Sequence, residues 1–255
     1  MTGVGVPLRI DPHVHSDASY DGSEPVDLLV EQAAEIGLDA VVITDHDAIE
    51  GSLRAARLAP TYGLIGIVGA EVSTAAGHLL ALGIETLPEP HQSVAATIEA
   101  VRAQGGVSII PHPFQRSRHG VSRRRLRGVR PDAIETYNSW TLTGYQNRRA
   151  ARYAARHDYP GVAGSDAHRA GYVGRAYTTV ELPIDARADA DAALVIDALR
   201  QRPYAIDGRR TPLRMALGHY LTAARRKLRY GAARAVSGST SRGRSLAMRT
   251  IDRLL

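Results

Sequence analysis

Histidines and acids occur in this chain as short motifs, each placed where a run of apolar residues ends. The motifs are Asp11-Pro12-His13-Val14-His15, Thr44-Asp45-His46-Asp47, Gly69-Ala70-Glu71, Pro111-His112-Pro113 and Gly164-Ser165-Asp166-Ala167-His168. Imidazole nitrogens and carboxylate oxygens together suit Zn, Mn or Fe, ions that accept donors of intermediate softness. The chain has no cysteine, which excludes thiolate ligands and disulfides. The pattern points to a metal centre assembled from pieces far apart in sequence.

Each motif has its own physical reading. His13 and His15 are two residues apart, so on an extended strand end both side chains face one side and can grip one ion. His46 follows Ala40-Val41-Val42-Ile43 and is flanked by Asp45 and Asp47. These two aspartates read as groups that orient a ligand, as acid/base groups, or as caps of the helix that follows. Glu71 ends an apolar strand, where a bare carboxylate is costly to bury and must meet water or a cation. His78 opens His-Leu-Leu-Ala-Leu-Gly and reads either as a ligand or as a core or surface histidine. His112 is held rigidly between two prolines. Asp166 and His168 repeat the two-residue spacing with one oxygen and one nitrogen donor.

The elements that must position these motifs alternate along the chain. Residues 8–12, 39–44, 64–70, 78–84, 107–110, 133–137 and 162–164 read as strands, with a further one at 177–182. Residues 24–36, 49–62, 93–104, 144–157 and 190–200 read as helices. Alternation with continuous apolar strands argues for parallel strands covered on both faces. The carboxyl ends of such strands converge on one rim of a barrel, where distant ligands share a pocket.

Charge divides the 255 residues unevenly. The whole chain is formally +6, but residues 209–255 hold twelve Arg or Lys against one acid, Asp252, which leaves the remainder near −5. The expected organisation is therefore a body over residues 1–208 and a basic extension over 209–255. Within the extension, Leu213, Leu217, Tyr220, Leu221, Ala224 and Leu228 share one helical stripe. Such a helix docks on the body or binds nucleic acid or an anionic surface. Lys227 is the only lysine, so no lysine is available in the body as a Schiff base, general base or carbamylated ligand. No stretch approaches the roughly 20 apolar residues of a transmembrane segment, and the amino terminus lacks signal-peptide character, so a cytoplasmic location is expected.

Taken in order, His13-x-His15, Thr-Asp-His46, Gly-x-Glu71, His112-Pro and Asp166-x-His168 resemble the PHP domain (polymerase and histidinol phosphatase) over about residues 8–182. The resemblance implies an α/β fold, a distorted seven-stranded (β/α)7 barrel, here followed by the basic helical extension. It also implies two to three divalent ions, Zn, Mn or Fe. One would be held by His13, His15, Glu71 and Asp166, a second by Glu71, His78 and His112, and a third by Asp21, His46 and His168. Asp17 competes with Asp21 for that last place.

The activity implied is that of a metal-dependent phosphoesterase on a small phosphorylated substrate: a nucleotide, a sugar phosphate or a molecule like histidinol phosphate. Hydroxide between metals bridged by Glu71 would be the nucleophile. Glu71 and Asp166 are the expected catalytic acids. Residues 115–130 carry Arg116, Arg118, Arg123, Arg124, Arg125, Arg127 and Arg130. Arg116, nearest His112 in sequence, is the first choice to grip phosphate. Tyr137 and Trp140 read as packing residues or as platforms for a nucleobase. Two other classes compete. A metal-dependent amidohydrolase of the mononuclear kind also uses H-x-H but leaves Glu71, His78 and His168 without a role, and a non-catalytic nucleic-acid-binding protein would use the Arg-rich loop and the tail.

Overall fold

The computed structural model describes residues 5–141, 143–201 and 205–212. The expected amphipathic helix at 212–236 therefore lies almost wholly outside the described residues. The strands are β1 (Val6–Val14), β2 (Ala40–Ile43), β3 (Ile65–Gly66), β4 (Gly69–Thr74), β5 (Gly77–Leu82), β6 (Val107–Ile110), β7 (Ala133–Asn138), β8 (Gly161–Gly164), β9 (Ala176–Leu182) and β10 (Ala205–Gly208). The α-helices are α1 (Val26–Glu35), α2 (Glu50–Leu58), α3 (Val94–Ala103), α4 (Gly144–His157) and α5 (Ala192–Arg200).

The α/β class holds, but the ladders resolve as two five-stranded mixed sheets, with no closed seven-stranded barrel among the described residues. Their orders are β10-β9-β1-β2-β3 and β4-β5-β6-β7-β8. The apolar run read as one strand at 64–70 is split. Residues Ile65–Gly66 pair in parallel with β2, whereas Gly69–Thr74 pair antiparallel with β5. The chain passes from one sheet to the other between two glycines, and hydrophobic periodicity carries no mark of such a crossing.

Parallel pairing holds for β1/β2, β2/β3, β6/β7 and β7/β8. It fails for β1/β9, β9/β10, β4/β5 and β5/β6, which are antiparallel. The reason at β4/β5 is a tight hairpin at Ala75-Ala76, closed by the Thr74 hydroxyl on the Gly77 carbonyl at 2.5 Å. The strands covered on both faces are those whose apolar runs are unbroken: every residue of β2 and of β6 is buried.

Three apolar clusters hold the body together. Leu8, Ile10, Val42, Leu80, Leu82, Ile109, Val162 and Val180 from both sheets meet α5 through Val195 and Leu199. A second cluster packs β4–β6 against α3 and Phe114, and a third packs β1 and β2 against α1 and α2. Two isolated bridges tie the sheets at their site end, Val14 to Ala167 and His46 to Glu71. Past β10, the Arg209 and Thr211 amides donate to the carbonyls of Arg175 and Ser139, so the chain still runs along the body beyond residue 208. Among the described residues no helix is long and apolar enough to cross a membrane.

Candidate metal centre

The two sheet-joining bridges bring the strand-end motifs onto one another. Glu71, 1% exposed at the middle of β4, is the hub. Its Oε2 lies 3.4 Å from His13 Nε2, 3.2 Å from His15 Nε2 and 3.4 Å from His46 Nδ1. Its Oε1 lies 2.8 Å from His78 Nδ1 and 3.1 Å from His112 Nε2. Asp166 Oδ1 lies 3.7 Å from His13 Nε2 and 3.6 Å from both His15 Nε2 and His168 Nδ1. Asp21 Oδ2 lies 3.3 Å from His46 Nε2 and 3.2 Å from His168 Nε2. The side chains at all nine expected ligand positions are thus gathered in one place, although the donor triads they form follow the three groupings that the resemblance implies only in part, in His13/His15/Glu71. Asp17, the competitor of Asp21, is exposed and away from these rings.

Local backbone explains the placement. His112 and Asp166 both adopt positive φ, 29° and 55°, a conformation costly for residues with a Cβ and found where a site is over-determined by its surroundings. His112 is trapped by its prolines, and the Asp166 amide donates to the His13 carbonyl at 2.7 Å. Gly164 is required by close approach, since a Cβ there would come 2.7 Å from His13 Cβ and 2.8 Å from Glu135 Oε1. Gly22 likewise lets the Asp21 loop press onto the Ser16 carbonyl.

The residues around the cluster fix its orientation. Glu135, which the sequence reading passed over, is 1% exposed on β7. It bonds His13 Nδ1 at 2.9 Å and accepts the His112 amide at 2.6 Å and Asn138 Nδ2 at 2.9 Å. Asn138 also donates to Asp166 Oδ2 at 2.8 Å. The signal for Glu135 was an acid inside a strand, but only burial of both faces of β7 reveals that it points inward.

Asp45 accepts from the Ser16 amide and hydroxyl at 2.7 and 2.6 Å, and Asp47 accepts from the Ser73 amide at 2.7 Å. Neither caps α2, whose N-cap position, Ile49, makes no side-chain bond. Asp11 receives the amides of Ser165 and Gly174 at 3.0 and 2.8 Å, and burial holds its pKa up at about 6.

Arg118, not Arg116, reaches the cluster: its guanidinium donates to Asp166 Oδ2 and to Asn138 Oδ1. Arg116 is exposed and lines a cleft of ≈ 610 Å³ with Tyr20, His78, His119 and Arg125. The short 3-10 turn over Arg116–Arg118 rotates successive side chains by a third of a revolution, so the two arginines point to different sides of the loop. Trp140 is 2% exposed and meets His168 and Tyr172 edge-on, so it packs rather than offering a face to a base. Tyr137 packs over Gly208.

Electrostatics favour the ligand forms of the acids. Burial pushes the Glu71 carboxyl up, but His46, His78 and His13 hold it well below the usual range. Burial likewise opposes ionisation of Asp166 and Asp21. Arg118, His13 and His168 overcome it at the first, and His168 and His46 at the second. Burial and repulsion from His168 lower His15 to about 4, leaving its imidazole neutral. For His46 burial is outweighed by Glu71 and Asp21, which raise it to about 9.

Several donors lack any hydrogen bond. His15 Nδ1 and Nε2, His46 Nδ1, His112 Nδ1 and Asp166 Oδ1 are buried with none. Among the described residues, five sets of three donor atoms lie within 4.8 Å of one another, including His13/His15/Glu71, His46/Glu71/His78 and His15/Asp21/His46. Uncompensated buried lone pairs beside ionised carboxylates fit divalent cations and little else.

The fold and this cluster define an α/β protein with a multi-donor His/carboxylate pocket at a sheet junction. The PHP domain profile matches residues 11–151, and the PHP-associated profile matches residues 144–203. The chain belongs to the PHP domain family.

An uncharacterised protein of Methanocaldococcus jannaschii is 28% identical over 155 residues, covering 56% of this chain and 89% of that one. A two-domain Bacteroides vulgatus protein described as containing a PHP-like metal-dependent phosphoesterase superposes with TM-score 0.66 and 21% identity, over 80% of this chain and 66% of that one. This chain thus spans just under two thirds of that protein. A lesion-specific endonuclease from Pyrococcus furiosus superposes with TM-score 0.56 and 15% identity, over 80% of this chain and 59% of that one.

Proposed function

We propose that this protein is a metal-dependent phosphoesterase. The observation that carries the reading is Glu71, one buried carboxylate whose two oxygens face five imidazoles within 3.4 Å. His13, His15, Glu71 and Asp166 would hold one cation, Glu71, His78 and His112 a second, and Asp21, His46 and His168 a third. When bound, such ions supply Lewis acidity toward a phosphoryl oxygen and a water of lowered pKa for in-line attack.

The chain's own groups set up that chemistry. Glu135 holds the His13 ring so that Nε2 faces the pocket, and Asn138 ties Glu135 to Asp166. Arg118 brings a fixed positive charge to the same carboxylate, placed to receive a phosphate oxygen when substrate displaces it. Tyr20 stacks on His46 at 4.7 Å and shields one flank of the cluster from water. Zn, Mn and Fe all suit this donor set.

Substrates in keeping with the pocket are a nucleotide, a sugar phosphate or a molecule like histidinol phosphate. A panel of these, assayed for phosphate release with His13→Ala as control, tests the reading. Turnover that the variant loses supports it. Equal turnover by both proteins, or turnover by the wild type of neither these monoesters nor a small phosphodiester with Zn, Mn or Fe supplied, overturns it.

A further inference from the structure

Away from the metal centre, a second cleft of ≈ 450 Å³ is lined by Arg123, Arg127, Arg152, Tyr153, Arg156 and His157. Two acid-free segments converge there. Residues 115–131 carry seven arginines and no Asp or Glu, and α4 carries Arg148, Arg149, Arg152 and Arg156, also with no acid. Arg152 and Arg156 are four apart on one helix face, where like charges repel. Among the described residues none of Arg123, Arg127, Arg152 and Arg156 is in an ion pair; the arginines that are so paired are Arg54, Arg102, Arg118, Arg187 and Arg200.

Aromatic rings lie beside these four exposed arginines. The Arg123 and Arg149 guanidiniums lie 5.2 and 5.4 Å from the Phe114 ring centre, and Phe114 meets Tyr153 edge-on at 5.1 Å. Phe114 is two residues, at most about 7 Å of chain, from His112. Concave surfaces lined by one sign of charge focus potential and draw in ions of the other sign, and guanidiniums pair with phosphate oxygens two at a time.

One loop separates this cleft from the ≈ 610 Å³ cleft beside His78. Arg116 and Arg125 face the latter, whereas Arg123 and Arg127 face the former. An anion that satisfied both would be extended and carry several phosphates.

We propose that the Arg123/Arg127/Arg152/Arg156 cleft is a second anion site, holding a phosphate of a single-stranded nucleic acid while another phosphate of the same strand lies at the metal centre. This rests on the phosphoesterase reading and narrows its substrate to a phosphodiester chain. A monophosphate has a single phosphate and can fill only one of the two sites, so the second site discriminates by chain length, not by base.

The test uses the full chain, a fluorescein-labelled single-stranded 12-mer, a mononucleotide, and bis(p-nitrophenyl) phosphate as a small diester. Arg123→Glu with Arg152→Glu is expected to weaken binding of the 12-mer at least tenfold and to flatten its salt dependence by about one to two units of log K per log salt. Turnover of the small diester should be unchanged, which also shows that the variant is folded. Mononucleotide binding should not respond. Unchanged 12-mer affinity overturns the proposal, as does loss of affinity only when Arg225, Arg226 and Lys227 are replaced by Ala. Failure of the wild type to turn over the small diester with Zn, Mn or Fe present overturns the phosphoesterase reading instead, while the binding measurement still decides the cleft.

Discussion

Glu135→Gln separates the orientation of the centre from its donor count. Three groups converge on this buried carboxylate: the His112 amide and Asn138 Nδ2 on Oε2, and His13 Nδ1 on Oε1. An amide of the same shape has one acceptor oxygen and one donor nitrogen. The oxygen is best kept where two N–H groups point, facing His112 and Asn138, which turns the new NH2 toward His13 Nδ1.

His13 then accepts at Nδ1, carries its proton on Nε2, and loses the lone pair that faces Glu71 and Asp166. Loss of an orienting partner of this kind typically lowers metal affinity about 10- to 100-fold. The fold should lose only about 1–3 kcal/mol, the cost of one poorly matched buried hydrogen bond. Chelator-competition titration with Zn or Mn reads the affinity, and urea unfolding of the metal-free protein reads the stability. Wild-type affinity in Glu135→Gln would refute the argument that this carboxylate sets the His13 tautomer. A stability loss well beyond that range, with metal affinity unchanged, would make Glu135 a purely structural residue.

Other consequences follow from the same geometry. Gly164→Ala places a methyl group against His13 Cβ and Glu135 Oε1, so it should cost about 1–3 kcal/mol by overpacking and reduce metal content, both readable on one purified sample. In the metal-free protein His46 is protonated below about 9, against an ordinary value of 6.5. Its raised pKa contributes stability that is complete below about 6.5 and lost as pH rises through 9. A cation must displace that proton, so affinity should climb about tenfold per pH unit up to pH 9 and then level with respect to this group. Calorimetry in buffers of different ionisation enthalpy would show the released proton, and pH-independent affinity would contradict it. Arg118→Gln should raise KM for a phosphorylated substrate several-fold with metal content intact, whereas Arg116→Gln should act weakly.

The candidate ligand positions stand out in the sequence because they are an unusual chemistry at a recurrent place: a buried strand ends, and His or Asp follows. That logic holds for His13, His46, His112 and Asp166, each at or just past the end of a buried strand run. It fails for residues whose meaning depends on a second strand. Glu135 reads as one polar residue in a strand until β6 and β8 flank it, and Asn138, just past the expected strand, gains its role only from Asp166 beyond β8.

Sheet connectivity was hidden for a similar reason. The run at 64–70 is continuously apolar whether it serves one sheet or crosses between two, and the hairpin at Ala75-Ala76 lacks an Asn-Gly or Asp-Gly signal. That Arg118 rather than Arg116 pairs with Asp166 depends on the phase of a single 3-10 turn, which sequence does not encode at that precision.

The central claim is that Glu71 organises a cluster of divalent cations, and elemental analysis of protein purified without chelator tests it most directly. Two to three equivalents of Zn, Mn or Fe per chain are predicted for the wild type, with less than one in Glu71→Gln. A wild type that holds no metal and takes up none when Zn, Mn or Fe is supplied would contradict the account. So would a Glu71→Gln variant that keeps its full complement.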